Sequence, residues 1–495
     1  MRTPPSRPVS APGSARYLSI ALLLLAWAAQ SCGGSVPPAP AEPPAVCAMV
    51  GDDEDATDPF RVSMQPAPVL IENARVLTAD GDRHDPGHVL FAEGRIVSVG
   101  PGTASDVPDD AVRLDAAGRW VTPGIIDAHS HLGVYATPGV DAHADGNEAT
   151  APITAEVNAL HSFWPQDPGL QRASAGGVTT IHVLPGSANL VGGRSVTLRV
   201  RRGATAASDL LFPGAPEGVK MACGENPKRV YGRRNRSPAT RMGNVAVLRQ
   251  ALHDAQATLR ELDAHEEALR TWCEDGARGD APEPPARNLQ RETLARLLRG
   301  ELLPQVHCYR ADEMRIMLDL AEEFGFSIRA FHHAVEAYKI ADELAAREVA
   351  TATWADWWGF KLEALDAVLE NAALLTVAGA RAVIHSDSAY DIQRLNQEAA
   401  KAYFAGLAAG LELTEDDALR WITANAAWVL GIDHLTGRLA PGLRADVVLW
   451  SQHPFSVYAR ADYVFVDGIA QTVRGEAEHP WSDFELGQWP NEVQR

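Results

Sequence analysis

The stretch Val121-Thr-Pro-Gly-Ile-Ile-Asp-Ala-His-Ser-His-Leu-Gly133 constrains this chain more than any other. Its apolar run through Ile125 and Ile126 reads as a buried parallel strand that ends in His129 and His131. Side chains two apart on a strand point to one face, so both imidazoles can converge on one point. Neutral imidazole is the commonest nitrogen ligand for zinc-like metals. A His-x-His pair alone is a weak signal, because two histidines at a strand end are more often surface or core residues. The rest of the chain decides how it is read.

Downstream, strands alternate with helices, the pattern of parallel α/β architecture. After the first strand come Gly177 to Leu184, a weak third strand from Ser195 to Val200, a short fourth from Gly218 to Ala222, and a fifth from Pro304 to Cys308. Ser327 to His333, Val349 to Trp354 and Arg381 to Asp387 supply the sixth, seventh and eighth. Eight such strands argue for a closed (β/α)8 barrel, whose reactive groups lie at the strand C-terminal ends. One excursion is unusually long: Val245, Leu248, Leu252, Leu259 and Leu262 keep helical spacing, and a second helix follows a Gly/Pro/acidic loop. Insertions after barrel strands sit over the active face, so this helical insertion, 244–300, is a candidate lid. Short β-rich runs occur at both ends, Val69 to Thr78 and His88 to Gly100 on one side, Gly442 to Trp450 and Tyr463 to Gly468 on the other.

The run Pro123-Gly-Ile-Ile-Asp-x-His-x-His131 resembles the first barrel strand of the amidohydrolase superfamily, metal-dependent hydrolases on a barrel. In that family's two-metal group a Lys follows strand four, a His follows each of strands five and six, and an Asp follows strand eight. Lys220, His307, His333 and Asp387 stand at those places. The resemblance implies that His129 and His131 hold one divalent ion with Asp387, and that His307 and His333 hold a second. Zinc is the first expectation, with manganese, iron or cobalt as alternatives. With two metals the resemblance implies a carboxylated Lys220 bridging them; relatives with one metal lack it. Such ions acidify bound water and polarise a carbonyl, and Asp387 fits the general base. His332 is expected to face away from His333, which stands three before Glu336 as the family pattern places its ligand. His385 reads equally as a supporting residue or a core residue, and His182 as substrate-side or structural. Asn189, Arg229 and Tyr231, on polar loops after strands two and four, are candidate substrate contacts; loops held by their own turn chemistry are an equal reading. The likeness extends from about Val69 to Arg474 and is to the imidazolonepropionase-related, Xaa-Pro dipeptidase-like branch. It implies a barrel, 121–437, inserted in a small β-sandwich built from 68–120 and 438–475.

With 495 residues, 46% of them hydrophobic, the chain can bury a large core. A net charge of −20 excludes a nucleic-acid partner, which needs basic clusters, and the glycines lack phosphate-loop spacing. Residues 1–32 read as an export signal: Arg2, Arg7 and Arg16 precede the apolar run Tyr17 to Ala29. Ala29-Gln-Ser-Cys32 resembles a bacterial lipoprotein box, with Gln30 atypical, so membrane attachment by a lipidated Cys32 and ordinary cleavage both stay open. Residues 33–67 have the composition of a flexible tether, and 476–495 form a tail. Cys47, Cys223, Cys273 and Cys308 allow three pairings, and isolated buried thiols are an equal reading for Cys223 and Cys308. The function expected is exported, metal-dependent hydrolysis of a C–N bond in a small amide, cyclic amide or peptide. An Xaa-Pro-type dipeptidase or N-acyl amino acid hydrolase is the near alternative, and a non-catalytic scaffold on the same fold the distant one. Oligomeric state is not written in these residues.

Overall fold

The computed structural model describes residues 67–475. The expected export signal with Cys32, Cys47, nearly all of the tether and the tail lie outside the described residues. Among the described residues no helix is long and apolar enough to cross a membrane.

Five strands open the described chain: β1 (Val69–Leu77), β2 (Arg83–Ala92), β3 (Arg95–Pro101), β4 (Val112–Asp115) and β5 (Trp120–Pro123). Glu93 and Gly94 turn β2 into β3 with positive φ of 51° and 75°, the geometry that two-residue hairpins require. The barrel strands follow as β6 (Ile125–Ser130), β7 (Val178–Val183), β8 (Val191–Arg199), β9 (Gly218–Ala222), β10 (Leu303–Cys308), β11 (Ala330–His333), β12 (Ala350–Thr353) and β13 (Ala382–Ile384). The chain returns through β14 (Val447–Trp450), β15 (Ala461–Val466) and β16 (Ile469–Val473). These last three join the first five in one sheet, ordered β16-β15-β14-β5-β1-β2-β3 with β4 on β1. The strands expected to form a small sandwich are thus hydrogen-bonded into one continuous sheet drawn from both ends. Trp120 of β5 pairs with Trp450 of β14. One residue, Gly124, then leads from β5 into β6, where an added Cβ would collide with the Thr179 side chain.

The second sheet runs β6 to β13 in chain order. Its eight members match the eight strands expected, with one correction. β8 is antiparallel to both β7 and β9, so strand three runs against the others. The reason is length: only Leu184 to Leu190 separates β7 from β8, and a parallel crossover needs about a dozen residues or more. Between β13 and β6 the gap is bridged by Trp421 and Ile422, whose carbonyls accept from Ile384 N (3.0 Å) and Ile126 N (2.8 Å).

Helices α1 (Pro168–Ala175), α2 (Glu225–Gly232), α3 (Arg241–Glu274), α4 (Leu289–Leu298) and α5 (Ala311–Phe324) cover part of this sheet. The insertion is α3 and α4, and it is not a lid. α3 starts at the mouth, where Asn244 donates to Gly224 O (2.9 Å). Arg291 meets Asp254, and Arg299 meets Asp263, so α3 and α4 run side by side in the same direction. Arg296 then reaches Glu217 (3.1 Å), at the foot of β9. The pair therefore descends the barrel's flank, and no residue of α3 beyond Ala255 is buried. Sheet and barrel are locked by a buried ion-pair cluster, with Arg199 of β8 (2.8 Å) and Arg444 both on Asp467.

Candidate metal centre

β6 ends at the barrel mouth and brings two imidazoles together. His129 Nε2 lies 3.4 Å from His131 Nε2. Asp387 Oδ1 lies 3.2 Å from the latter and 3.8 Å from the former. Lys220 Nζ, from β9, is 3.3 Å from the same His129 nitrogen. Ligand atoms of His129, His131 and Asp387 all fall within 4.8 Å of one another, and so do those of His129, His333 and His385.

The surrounding hydrogen bonds fix which nitrogen faces this point. Gln305 Nε2 donates to Val429 O (3.2 Å), so its oxygen faces His332 Nε2 at 2.7 Å. His332 therefore carries its proton on Nε2 and offers the Nδ1 lone pair to His129 Nδ1–H, 2.9 Å away. That leaves His129 Nε2 unprotonated and aimed at Lys220, His131 and Asp387. His131 donates Nδ1–H to Leu184 O (2.8 Å), which turns its Nε2 toward Asp387 Oδ1. Partners of this kind orient ligating histidines in metal sites.

Asp387 is held by a second network. Asp127 Oδ1 accepts from His129 N (3.2 Å) and Ser386 N (3.0 Å), and its other oxygen takes the Ser386 hydroxyl. Asp387 N donates to His129 O (3.1 Å), so strand one and strand eight meet at the candidate ligands themselves. Asp387 has φ of 47° and His333 φ of 71°, left-handed backbone that costs a non-glycine residue on the order of 1–3 kcal/mol and clusters at functional sites.

Burial sets the charges. It holds His129, His307 and His333 well below the ordinary imidazole range and His385 down at about 3, so these rings are neutral and offer lone pairs at pH 7. It pushes Lys220 down to about 7, against the pull of Asp387. Burial would raise Asp387, but the hydrogen bond and charge of His131 outweigh it and leave the carboxyl below its usual value. Burial drives Asp127 up to about 7, because its three donors only partly offset desolvation. The fit to a divalent ion is direct: His307 Nδ1, His333 Nδ1 and both nitrogens of His385 are buried with no hydrogen-bond partner among the described residues, and orphaned imidazole nitrogens beside a carboxylate are what a zinc-like ion takes.

Several expected positions need correction. His332 does not face away: it touches His129 while His333 packs on the same ring, centroids 4.7 Å apart. Neighbours on a strand alternate only while both are extended, and the left-handed φ of His333 breaks the alternation. His307 lies against His333 (centroids 4.5 Å) but outside both converging groups, with Asn226 Nδ2 3.4 Å from its Nε2. Asn189 and Tyr231 are not open to substrate. The Tyr231 hydroxyl is 2.6 Å from Ala151 O and 3.0 Å from Asn189 Oδ1, while Asn189 Nδ2 donates to Glu148 O (2.9 Å). Together they pin the loop around 148–154. Arg229 is exposed on α2 and donates to Asn226 (3.3 Å). His182 is buried, bonded to Thr197 (3.0 Å) and burial holds it at about 3, which makes it a barrel-core residue. Cys223 and Cys308 are not isolated thiols but form a disulfide between the ends of β9 and β10, one residue past His307.

An aromatic wall, unforeseen because its residues come together from the ends of strands five and seven and the loop after strand seven, flanks the centre. Tyr309 and Trp354 both stack on His333 (5.2 and 4.7 Å), and Trp357 stacks on Trp354 (5.3 Å). Phe360 stands 58% exposed at its rim. Lys361 Nζ sits 3.7 Å from the Tyr309 ring centre, paired with Glu363 (3.5 Å) and Glu225 (3.7 Å). On the other side, a cavity of about 470 Å³ is lined by Val134, Asp145, Glu148, Glu156, Asn158 and Pro185 among others. Pro185 follows the residue whose carbonyl receives His131.

The family model described as the amidohydrolase family matches residues 290–475. The chain is 36% identical over 402 residues to amidohydrolase tasK of Hapsidospora irregularis, covering 78% of this chain and 40% of that protein. It thus spans well under half of that relative's length. It is 26% identical over 440 residues to the imidazolonepropionase of Stenotrophomonas maltophilia, covering 84% of this chain and 98% of that one. The crystal structure of an amidohydrolase from Thermotoga maritima superposes with a TM-score of 0.72 at 33% identity, over 82% of this chain and 100% of that one.

Proposed function

The chain belongs to the amidohydrolase family, in its imidazolonepropionase-related branch, and from that premise we propose that it is an exported, metal-dependent hydrolase of a C–N bond in a small amide, cyclic amide or peptide. The observation that carries the reading is the convergence of His129, His131 and Asp387 at the ends of strands one and eight, with Lys220 against His129. A divalent ion held there supplies a Lewis acid for the carbonyl and acidifies water at neutral pH.

The chain's own groups do the rest. Asp387 Oδ1, a carboxylate held below its usual range, is placed to take a proton from water and hand it to the leaving nitrogen. The His332 contact keeps the inward nitrogen of His129 unprotonated, and the Leu184 contact turns His131 Nε2 inward. Lys220, its amine partly free near pH 7, is available for carboxylation. The Tyr309–Trp354–Trp357 wall suits a flat or apolar substrate face. The acidic lining of the neighbouring cavity favours a neutral or cationic substrate.

A second reading rests on Lys361, a cation beside the aromatic wall, which suits the carboxylate of an Xaa-Pro dipeptide or N-acyl amino acid. A panel of cyclic amides, neutral N-acyl amides, N-acyl amino acids and Xaa-Pro dipeptides, followed by mass spectrometry with and without added zinc or manganese, separates the two. Metal-dependent turnover of the neutral classes supports the first reading, and turnover confined to carboxylates supports the second. Metal-loaded protein inert to the whole panel favours the scaffold. Lipid anchoring at Cys32 belongs to the same proposal, and labelling with radioactive palmitate, lost in Cys32→Ser, tests it.

A further inference from the structure

Two helices on the barrel's flank, α3 and α5, are tied together at two levels and stand apart between them. Arg241 meets Glu313 (3.0 Å) near the mouth, and Arg249 meets Glu323 (2.8 Å) about two turns further down. Between these ion pairs Val245 and Leu248 of α3 and Ile316 and Leu320 of α5 line a cavity of about 520 Å³. Folded interiors are close-packed, and unfilled space of this size is on the scale of a small-molecule site. Its rim is apolar and open: Met242 is 80% exposed and Ile316 41%. Two polar side chains of the same lining, Asn244 and Glu313, are instead more than nine-tenths buried. The Asn244 amide donates to Gly224 O (2.9 Å), and its Oδ1 has no partner among the described residues; neither has Glu313 Oε2. Both orphaned atoms are acceptors, and buried acceptors without donors oppose folding unless something supplies the donors. The surrounding charge has the same sense. Arg241 is shared by Glu313 and Glu363, and Lys361 by Glu363 and Glu225, so three carboxylates share two cations.

We propose that this cavity is a binding site for a small organic cation, its apolar body seated between the facing sides of α3 and α5 and its protonated amine donating to Glu313 Oε2 and Asn244 Oδ1. A charge-assisted N–H bond to a buried carboxylate is the strong contact, and burial of the apolar body supplies the rest. A ligand carboxylate would bring another anion to Glu313 and is rejected. The site lies on the flank, apart from the barrel mouth. It goes beyond the hydrolase reading and holds whether or not a metal is bound at the mouth.

The probe is para-bromophenethylamine, with para-bromohydrocinnamate as its anionic counterpart, each titrated into the full chain by isothermal calorimetry. Saturable binding of the amine is expected, with a Kd on the order of 0.1–1 mM for so small a ligand, and none of the carboxylate up to about ten times that concentration. Ile316→Trp, which fills the gap from its exposed side, should abolish amine binding. Glu313→Gln should weaken it about tenfold or more. Crystals of the full chain soaked with the amine, measured at the bromine absorption edge, should show an anomalous peak between α3 and α5. Absence of saturable binding, equal binding of amine and carboxylate, or wild-type affinity in folded Ile316→Trp overturns the inference. So does bromine found only at the barrel mouth, which decides the question where a variant does not fold.

Discussion

His129 and His332 meet Nδ1 to Nδ1 at 2.9 Å, and because Gln305 holds the His332 proton on Nε2, only His129 can be the donor. The contact makes His332 a positioning residue for a ligand. His332→Phe removes the acceptor, frees the His129 tautomer and should weaken metal binding roughly 10–100-fold, as loss of such partners does elsewhere. His332→Asn, which keeps an acceptor, should lose less. Competition with a metal-sensitive dye measures both, and equal affinity in the Phe variant and the wild type would show the tautomer is fixed by something else.

Lys220 gives a pH prediction with a definite sign. Its pKa is lowered from 10.5 in the unfolded chain to about 7 in the fold, so between those values the unfolded state binds more protons and stability rises with pH. In metal-free protein, Lys220→Met should remove that rise and add stability at pH 7, on the order of a few kcal/mol. Urea unfolding at pH 7 and pH 9.5 checks it. The same free amine is the form that takes up carbon dioxide, so any bicarbonate-dependent metal uptake should strengthen from pH 6 to pH 8 and vanish in Lys220→Met.

Asp387 is a quarter exposed and contacts His131 through one oxygen. Asp387→Asn keeps the shape and an acceptor but loses the base, so metal content should stay near wild type while kcat falls by about 10²–10⁴-fold. Turnover within a factor of two of wild type would remove Asp387 from the proton-transfer role.

The Cys223–Cys308 disulfide joins two barrel strands across 85 residues of sequence. Replacing both cysteines by Ala should cost about 2–4 kcal/mol, seen as a lower unfolding midpoint that reducing agent no longer shifts. A variant as stable as the oxidised protein would contradict this.

The candidate ligands that the structure brings together were legible because each sits in a short, typed context: a His-x-His closing an apolar run, then Lys220, His333 and Asp387 at later strand ends. What escaped depends on backbone geometry or distant pairing. Only seven residues between β7 and β8 were signal enough for an antiparallel strand three. The left-handed φ of His333 has no letter of its own, so His332 was expected on the wrong side. Asn189 and Tyr231 looked like substrate contacts because polar loop residues usually face solvent, yet they satisfy each other over 42 positions of sequence. The helical insertion kept its periodicity in the fold, but periodicity does not say which surface a helix lies on.

Metal content is the decisive measurement. The full chain, stripped with chelator, refilled with zinc in bicarbonate and freed of excess ion, would be assayed by inductively coupled plasma mass spectrometry beside a His129→Asn, His131→Asn double variant. At least one tightly held ion per wild-type chain is expected, with its loss in the variant. Folded wild-type protein that retains no metal, or a variant that retains as much, would contradict it.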